Sequence, residues 1–320
     1  MMNTTDTKSE ARVKVRVPAT SANLGAGFDV FGLALDCLYD EVYMELTAGK
    51  SIEILGVEGY DVPGEPSENC AAVAASKVFE MKGYAHGVKM WIRKCIKPKS
   101  GLGSSAASSV GGALAASKLL GGLSYEDILL CAGEGEKVSS MSAHLDNVAP
   151  ALLGGFTIIR SYSPLDIVRL EAFSSVGIVV VLPEVEVSTK EARAILPESA
   201  PVKDVVRNVG NASAFVAGFI REDIALMGRA MVDAIFEKAR EPLMPWLSDI
   251  RKVAIGAGAS GLSLSGSGPS VIALFDKREH EGREISKAIT EAFLEKGIDS
   301  EGFVCSVGRG AMEISEGGVM

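Results

Sequence analysis

The chain has 320 residues, of which 47% are hydrophobic and 23% are charged, and its formal net charge is −9. These proportions exclude a mainly disordered protein, since disordered chains are poor in apolar residues and rich in charge. The acidic balance and an aromatic content of 6% argue against a protein that coats nucleic acid. The length is typical of two domains with apolar cores.

The N-terminal part of the chain predicts a sheet with one early helix. Residues 1–10 are polar and are expected to form a flexible tail, and VKVRV at 13–17 predicts a strand that ends at Pro18. VFGLALD and EVYMEL predict further strands, and residues 68–82 have helical spacing and good helix formers. VKMWIRKCI predicts a strand that leads through a glycine turn into a helix ended at Gly121.

The composition of the chain changes in its middle part, where helices, a loop and strands are predicted. Ser124 with Asp127 resembles a capping box at the start of a helix. HLDNVAPALLGG is expected to be a loop, and FTIIR and GIVVVLP are expected to be strands. STKEARAIL predicts a short helix capped by Ser188 or Thr189.

The C-terminal part combines helices with another glycine loop. Two or three helices are expected over 203–258, and GLSLSGSGPSVIALF predicts a strand, a glycine loop and a second strand. A charged amphipathic helix near 279–296 and a final strand, FVCSVG, complete the pattern. Because helices and strands are mixed without a regular βαβ rhythm, we predict an α+β fold of two domains.

The cysteines and histidines form no recognisable metal or disulfide pattern. The five cysteines are scattered and never spaced as CxxC, so we expect small apolar side chains, neither a disulfide framework nor structural zinc. The three histidines are too dispersed for a histidine metal site. Residues 1–10 lack the apolar stretch of a signal peptide, and no run reaches the ~18 apolar residues of a membrane span. We therefore expect a cytoplasmic protein.

The strongest chemical signal is the segment SGLGSSAA at 100–107, between a predicted strand and a predicted helix. Phosphate binding needs unobstructed backbone N–H groups at a helix N-terminus, and the glycines permit this approach. A basic cluster precedes it, consisting of Arg93, Lys94, Lys97 and Lys99. The segment is not a Walker A loop and matches only half of the dinucleotide fingerprint. A tight helix start packed with small residues is the structural alternative.

Two other loops share this composition. PATSANLGAGFD at 18–29 follows a strand, and LSGSGPS at 264–270 lies between two apolar runs. Each alone fits an ordinary turn. Three such loops in one chain indicate an anion-binding site built from several segments.

Taken in order, PATSANLGAGFDVFGLALD, PKSGLGSSAASS and SLSGSGPSVIALF resemble the three motifs of the GHMP small-molecule kinases. The first motif and HLDNVAPALLGGF at 144–156 resemble the members of that family that phosphorylate L-homoserine. The resemblance spans residues 13 to about 275. A GEH-type first motif, expected of mevalonate kinases and galactokinases, is absent. One departure is Lys99, which stands where many relatives have glycine.

The resemblance implies a two-domain GHMP kinase fold. Its N-terminal, ribosomal-protein-S5-domain-2-like domain would occupy 11–165 and bind ATP, and its ferredoxin-like C-terminal α/β sandwich would occupy 166–320. The implied reaction transfers the γ-phosphoryl of ATP to the side-chain hydroxyl of L-homoserine, giving O-phospho-L-homoserine for threonine biosynthesis. Mg²⁺ would neutralise the phosphates. The family also suggests a homodimer, and the acidic balance and the lack of a long apolar run argue against nucleic-acid and membrane partners.

The resemblance assigns the nucleotide residues at and beside the second motif, and the metal residues in that motif and in the helix after the glycine loop. ATP would be bound by Lys97, Pro98, Lys99, Ser100, Gly101, Leu102, Gly103, Ser104, Ser105, Ala106 and Ala107. Ser105 and Glu136 would lie on the metal side, and the alternative for Glu136 is a solvated helix carboxylate.

The resemblance also assigns the amino-acid pocket. Its expected members are Asn23, Asp29, His144, Asp146, Asn147, Arg193 and Arg240. Asp146 and Asp29 would hold the ammonium, and Asn147 or Asn23 the hydroxyl. Arg193 and Arg240 are candidates for a carboxylate clamp, since a guanidinium binds a carboxylate bidentately. A surface salt bridge is the alternative for either arginine. Asp146 and Asn147 are the candidate catalytic residues. Because an aspartate that grips an ammonium is poorly placed to take a hydroxyl proton, we expect catalysis by positioning.

Three rival functions remain open at this stage. A different GHMP kinase would share the nucleotide half and differ in the pocket. A dinucleotide-dependent oxidoreductase would use SGLGSSA as a Rossmann turn, and a non-catalytic relative would bind ligands without turnover.

Overall fold

The computed structural model describes residues 11–85, 87–140, 143–187 and 189–315. Within these residues the chain forms two sheets with helices packed against them. The strands are β1 (Arg12–Asn23), β2 (Gly27–Thr47), β3 (Ile52–Gly59), β4 (Gly87–Lys94), β5 (Phe156–Tyr162), β6 (Leu165–Leu170), β7 (Val176–Pro183), β8 (Gly261–Leu264), β9 (Val271–Asp276), β10 (Ser300–Cys305) and β11 (Met312–Ile314). The helices are α1 (Cys70–Lys82), α2 (Ser104–Leu119), α3 (Tyr125–Ser140), α4 (Leu145–Leu153), α5 (Thr189–Ala194), α6 (Val202–Ile220), α7 (Ile224–Ala230), α8 (Phe236–Arg240), α9 (Leu247–Gly256) and α10 (Gly282–Leu294).

The larger sheet has seven strands in the order β11-β1-β2-β4-β3, with β5 and β6 added beside the first part of β2. The β1–β2 and β2–β4 pairs are antiparallel, whereas β3 and β4 are parallel. Strand β1 does not end at Pro18 as predicted but continues to Asn23. The register of β1 on β2 shifts between Pro18 and Thr20. Because a proline lacks the N–H of the ladder, it is tolerated at such an irregularity.

The predicted helix over 68–82 is confirmed as α1, which Asn69 caps through its side-chain oxygen. α2 packs closely beside it, because a Cβ at Gly112 would lie 2.0 Å from the carbonyl oxygen of Ala71. The predicted capping box is also confirmed, with Ser124 Oγ accepting from the Asp127 backbone N–H at 3.1 Å. α2 also packs on the larger sheet, because a Cβ at Gly111 would lie 2.6 Å from Val42 Cγ2 on β2.

The prediction of a loop at HLDNVAPALLGG is wrong, since residues 145–153 form α4. Leu145, Val148, Ala149 and Leu152 follow helical spacing and are buried. Pro150 lies inside this helix and lacks the N–H that would bond to the carbonyl of Asp146. The buried apolar face outweighs this missing bond in so short a helix.

The smaller sheet is antiparallel and has the order β10-β7-β9-β8. Numbered by their succession along the chain, its strands stand fourth, first, third and second, the order of a ferredoxin-like sandwich. The two or three helices predicted over 203–258 are four, α6 to α9. The short α7 and α8 carry too few residues for helical periodicity to separate them. The predicted cap Ser188 lies outside the described residues.

The chain returns to the larger sheet at its C-terminal end. β6 pairs with β5, and the unpredicted strand β11 pairs with β1. The domain limit predicted at 165/166 therefore falls at the start of a strand of the larger sheet, and that division remains a prediction. Cys37 on β2 and Cys305 on β10 form a disulfide, which corrects the expectation of five small apolar thiols. Within the described part of the chain, no helix is both long and apolar enough to cross a membrane.

Candidate active site

A cavity of about 460 Å³ lies where the three glycine loops meet the N-terminal ends of α2 and α4. It is closed on another side by α5 and α8. The site residues predicted from the sequence that line it are Asn23, Asp29, Pro98, Lys99, Ser100, Gly101, Gly103, Ser104, Ser105, Glu136, His144, Asp146, Asn147, Arg193 and Arg240.

Ser265 in the third loop joins all three glycine loops. Its Oγ donates to the carbonyl of Gly101 in the second loop at 2.7 Å and lies 2.9 Å from Ser21 Oγ in the first. A Cβ at Gly101 would lie 2.4 Å from the carbonyl oxygen of Ser265, so this approach requires glycine. The three motifs singled out by composition therefore form one structure.

Gly103 is the cap of α2 and has a φ of 67°, a left-handed conformation that suits glycine. A Cβ at this position would lie 1.9 Å from Thr20 Oγ1. Ser104 and Ser105 begin the helix beside the cavity. Because the first N–H groups of a helix have no partner within it, this end presents donors and the positive end of the helix dipole to the cavity.

Lys99 also has a positive φ, of 58°, although it carries a Cβ. That conformation explains why glycine suits the same position in the resembling kinases. The Lys99 side chain is exposed at the rim of the cavity. The departure from the family pattern thus places a cation at a position whose backbone conformation suits glycine.

The predicted basic cluster is divided by the fold. Lys94 is buried, forms an ion pair with Asp40 and donates from Nζ to the carbonyl of Ser104 at 2.9 Å. The other oxygen of Asp40 accepts from the backbone N–H groups of Cys95 and Ile96 at 2.9 and 3.0 Å. This buried pair connects the chain before the glycine turn to the first turn of α2.

Four residues predicted to bind ATP lie outside the lining of the cavity. Lys97 pairs with Glu184 at the surface. Leu102, Ala106 and Ala107 are buried in the hydrophobic core. Their side chains pack the glycine loop and α2 against the sheet. They would therefore contribute to a nucleotide site by fixing the position of the backbone that faces the cavity.

Ser105 and Glu136 meet across the α2–α3 contact. Ser105 Oγ donates to Glu136 Oε1 at 2.7 Å. Burial raises the pKa of Glu136 to about 7, although hydrogen bonds from Ser105 and Ser139 and the charge of Lys94 oppose the rise. A cation close to such a buried carboxyl group would stabilise its ionised form.

Asp146 lies in the first turn of α4, with its side chain buried beside the cavity. Among the residues that the structure describes, its Oδ1 has no hydrogen-bond partner. Burial, with the charge of Asp29, raises the pKa of Asp146 to about 7. Burial also lowers the pKa of His144, the cap of α4, to about 4, with the charge of Arg193 acting in the same direction. The imidazole is therefore neutral at pH 7, whereas the buried Asp146 carboxyl is only partly ionised at that pH.

The two asparagines of the predicted pocket are tied into the loops. Asn147 Oδ1 accepts from Thr20 Oγ1 at 2.9 Å. Asn23 has a φ of 74°, donates from Nδ2 to the carbonyl of Gly266 at 2.9 Å and accepts at Oδ1 from the Asp29 backbone N–H at 3.0 Å. Asn23 thus connects the first glycine loop to the third, and its amide has little freedom to bind a ligand.

In the part of the cavity formed by α5 and α8, charged side chains surround Phe28. Arg193 forms an ion pair with Asp29 at 2.8 Å. Arg240 is buried and donates to the carbonyls of Ala192 (3.2 Å) and Gly266 (3.2 Å). Both guanidinium groups lie over the Phe28 ring, at 5.8 and 5.4 Å from its centroid. The two predicted clamp arginines are therefore brought to the same ring.

Several residues of the site were not predicted. Thr20 Oγ1 donates to Asn147, and the ring of Phe28 contacts the guanidinium groups of the two arginines. Tyr162 donates from its hydroxyl to the carbonyl of Asp29 at 2.9 Å. Thr20 and Phe28 lie within the first glycine-rich motif, so their place in that motif is a signal that sequence reasoning had available. Tyr162 belongs to no motif, and it lies 133 residues from Asp29 in the sequence, so no local pattern predicts the contact.

The arrangement was compared with known proteins. The family model described as the GHMP kinases N terminal domain matches residues 69–155, and the GHMP kinases C terminal model matches residues 215–295. A curated protein of Pyrococcus abyssi named homoserine kinase is 46% identical over 93% of this chain and 98% of its own length. A protein of the same name from Pyrococcus horikoshii is 45% identical over 94% of this chain and 99% of its own length.

Solved structures show the same similarity in three dimensions. The crystal structure of homoserine kinase from Cytophaga hutchinsonii superposes with a TM-score of 0.90 at 39% identity, covering 96% of this chain and 98% of that chain. The similarity thus extends over nearly the whole length of both chains. The chain belongs to the GHMP kinase family and, within it, to the homoserine kinases.

Proposed function

We propose that the cavity transfers the γ-phosphoryl group of ATP to the side-chain hydroxyl of L-homoserine, giving ADP and O-phospho-L-homoserine, a step in threonine biosynthesis. The bond between the γ-phosphorus and the β–γ bridging oxygen breaks, a bond from the hydroxyl oxygen to phosphorus forms, and the hydroxyl proton is released. One observation carries the proposal. A single cavity joins a helix N-terminus suited to phosphates with acidic and basic groups suited to a zwitterion.

At one end, the loop from Ser100 to Gly103 and the first turn of α2 would bind the phosphates of ATP. The left-handed glycines leave the backbone accessible, and the dipole of α2 favours negative charge. Lys99 at the rim would add a cation. Since phosphoryl transfer depends chiefly on positioning and on charge neutralisation, a rigid set of donors here contributes directly to catalysis.

Ser105 and Glu136 fit a magnesium ion that arrives with the nucleotide. Glu136 is a buried carboxyl whose pKa is raised, and the Ser105 hydroxyl already lies 2.7 Å from it. Within the described residues no cluster of three or more His, Cys, Asp or Glu side chains forms a metal cage. Mg²⁺ commonly binds through one or two protein groups together with phosphate oxygens, so this sparse pair is compatible with it. The bound ion would supply charge neutralisation.

At the other end, the substrate's ammonium would bind Asp146, whose Oδ1 lacks a partner among the described residues. The carboxylate would bind Arg240 and Arg193. Without substrate, Arg193 pairs with Asp29. Substrate binding would replace that ion pair by two, one between Arg193 and the substrate carboxylate and one between Asp29 and the ammonium. A neutral alcohol or a sugar would offer no ionic partner to Asp146 or to the two arginines, which favours an amino acid over the other substrates of the family.

The proposed chemistry needs no dedicated base. Asn147 would orient the hydroxyl, because Thr20 fixes its amide at 2.9 Å beside the start of α2. Asp146 is occupied by the ammonium in this arrangement. The neutral His144 at the start of α4 would act as an orienting group. Alignment of the hydroxyl with the phosphoryl group then accounts for the rate, and the proton leaves to solvent or phosphate.

The direct test is ADP release by the purified protein with Mg·ATP, with and without L-homoserine. Mevalonate, L-serine and L-threonine are the comparison substrates. We expect ADP release that depends on homoserine. Turnover with mevalonate instead would contradict the zwitterion pocket, and ATP binding without turnover on any substrate would contradict the kinase assignment.

Two further proposals rest on the family resemblance alone. We propose a homodimer, which light scattering on the purified protein would test, with a monomeric mass contradicting it. We also propose a cytoplasmic location, which fractionation of the source cells would test.

A further inference from the structure

The first part of α6 is attached to the segment before α8 by the amides of Asn208 and Asn211. Asn211 Nδ2 donates to the carbonyl of Val232 at 2.7 Å. From residue 202 to residue 214 of this helix, all within the described chain, Asn208 alone is buried. Asn208 Nδ2 donates to Asp233 Oδ1 at 2.7 Å, and its Oδ1 accepts from the Ala234 backbone N–H at 2.8 Å. Because burying an amide is costly unless both of its ends are bonded, this contact selects one arrangement of the partner segment.

Asp233 fixes the point at which α8 begins. Its Oδ1 accepts from the backbone N–H groups of Ile235 (2.8 Å) and Phe236 (3.0 Å), and its Oδ2 accepts from that of Glu237 (3.0 Å). The carboxylate therefore accepts from three backbone N–H groups at the start of α8, where its negative charge is also favoured. With the bond from Asn208, both oxygens are hydrogen-bonded, and none of these partners lines the cavity.

α8 carries side chains of the proposed substrate end at both of its ends. Phe236, its first residue, stacks on Phe28 with 3.8 Å between ring centroids. Arg240, its last residue, bonds to the carbonyls of Ala192 and Gly266. A helix of this length does not form alone, so its position depends on contacts made by other elements. The cap at Asp233 is such a contact.

The opposite side of α8 is held to the third glycine loop. Glu237 Oε2 accepts from the Leu264 backbone N–H at 3.1 Å, and Oε1 forms an ion pair with Arg251. Arg251 Nε in turn donates to the carbonyl of Leu262 at 2.9 Å. α8 is thus fixed between α6 on one side and β8 on the other.

We propose that Asn208 and Asp233 are positioning residues that set the place of Arg240 and so determine the affinity for the carboxylate end of the substrate. Neither side chain lines the cavity, so both act through α8. The proposal rests on the proposed function, since it assumes that Arg240 binds the carboxylate. It gives a function to the buried polar contacts between α6 and the segment that leads into α8.

The test compares two helix caps of the same residue type. Asp233→Ala removes the cap of α8, and Asp223→Ala removes the cap of α7, where Asp223 Oδ1 accepts from the Leu226 backbone N–H at 2.8 Å. Both variants should lower the melting temperature. Only Asp233→Ala should raise the KM for homoserine, by about tenfold, with little change in the KM for ATP. If Asp233→Ala unfolds, Asn208→Ala keeps the cap and should raise the homoserine KM by about threefold.

A double-mutant cycle with Arg240→Lys separates positioning from general destabilisation. If Asp233 acts through Arg240, the Asp233→Ala, Arg240→Lys double variant should have nearly the homoserine KM of Arg240→Lys alone. Additive effects, or an unchanged homoserine KM in Asp233→Ala where Arg240→Lys raises it, would overturn the positioning role. An unchanged homoserine KM in Arg240→Lys itself would instead overturn the assignment of Arg240 in the proposed function, and this proposal with it.

Discussion

The two ends of the cavity are built differently. At the phosphate end, backbone groups and small side chains pack at close range, as where Ser265 Oγ binds the carbonyl of Gly101 and Gly103 leaves no room for a Cβ beside Thr20. At the substrate end, ionised side chains face one another, as in the pair of Asp29 and Arg193. Fixed dipoles keep their places at any pH, whereas charged groups exchange partners when a zwitterion enters. One end is specific through shape, the other through charge.

The largest effect on activity is expected at Glu136, because this charged side chain lies at the phosphate end, which otherwise consists mainly of backbone groups and small side chains. Glu136→Gln should lower kcat/KM by about 10²- to 10³-fold, because an amide cannot supply the negative charge that a cation on the phosphates requires. Steady-state kinetics over a series of Mg²⁺ concentrations measures the effect. Glu134→Gln is the matched control, since Glu134 lies on the same helix, is exposed and pairs with Lys137 at 2.6 Å. Equal losses in both variants would contradict the assignment.

A second test addresses shape at the phosphate end through glycines at the two ends of α2. Gly103→Ala should destabilise the protein by more than the ~1–2 kcal/mol that a left-handed backbone costs, because the new Cβ would lie 1.9 Å from Thr20 Oγ1. It should also raise the KM for ATP. Gly121→Ala has the same kind of strain, with a φ of 86°, but no atom lies within 4 Å of its Cβ. Denaturant unfolding and ATP kinetics of both variants measure the difference. Equal losses of stability and equal KM values for ATP would contradict the claim that close packing at Gly103 shapes the phosphate end.

The third test uses pH to sharpen the contrast at the substrate end. The pKa of Asp146 is about 7 in the folded protein, and in the unfolded chain it has its ordinary value of about 4. Between these values the folded protein binds more protons, so the stability from this group is complete below about pH 4 and is lost as the pH rises through 7. Ligand-free wild-type protein should therefore lose stability from pH 5 to pH 8, and Asp146→Asn should lose less.

The same ionisation should govern substrate binding with the opposite sign. An ammonium binds the carboxylate form of Asp146, so the KM for homoserine should fall as the pH rises through about 7. In Asp146→Asn this KM should be higher and nearly independent of pH over that range. A loss of kcat by several orders of magnitude at unchanged KM would instead identify Asp146 as a base.

The same contrast explains what the sequence could predict. The phosphate end depends on local patterns, so the strand, the glycine turn and α2 follow from adjacent residues such as Gly101 and Gly103. The contact of Asn147 with Thr20 joins positions 127 residues apart, and no local rule pairs them. α4 was missed because Pro150 outweighed the spacing of its buried apolar residues. α8 was not resolved because its position is set by Asp233 and Glu237, whose partners lie on other elements.

The smallest effect is expected at Lys99, which adds one exposed charge to the phosphate end. Lys99→Gln keeps a side chain at the φ of 58° and removes the charge, whereas Lys99→Gly removes both the charge and the backbone strain. Because exposed ion pairs contribute at most about 1 kcal/mol, both variants should raise the KM for ATP by about two- to fivefold, and less at high salt. Unfolding should separate them, since only Lys99→Gly relieves the strain. A larger ATP effect in Lys99→Gly than in Lys99→Gln would mean that the backbone at this position, and not its charge, determines how the loop meets the phosphates.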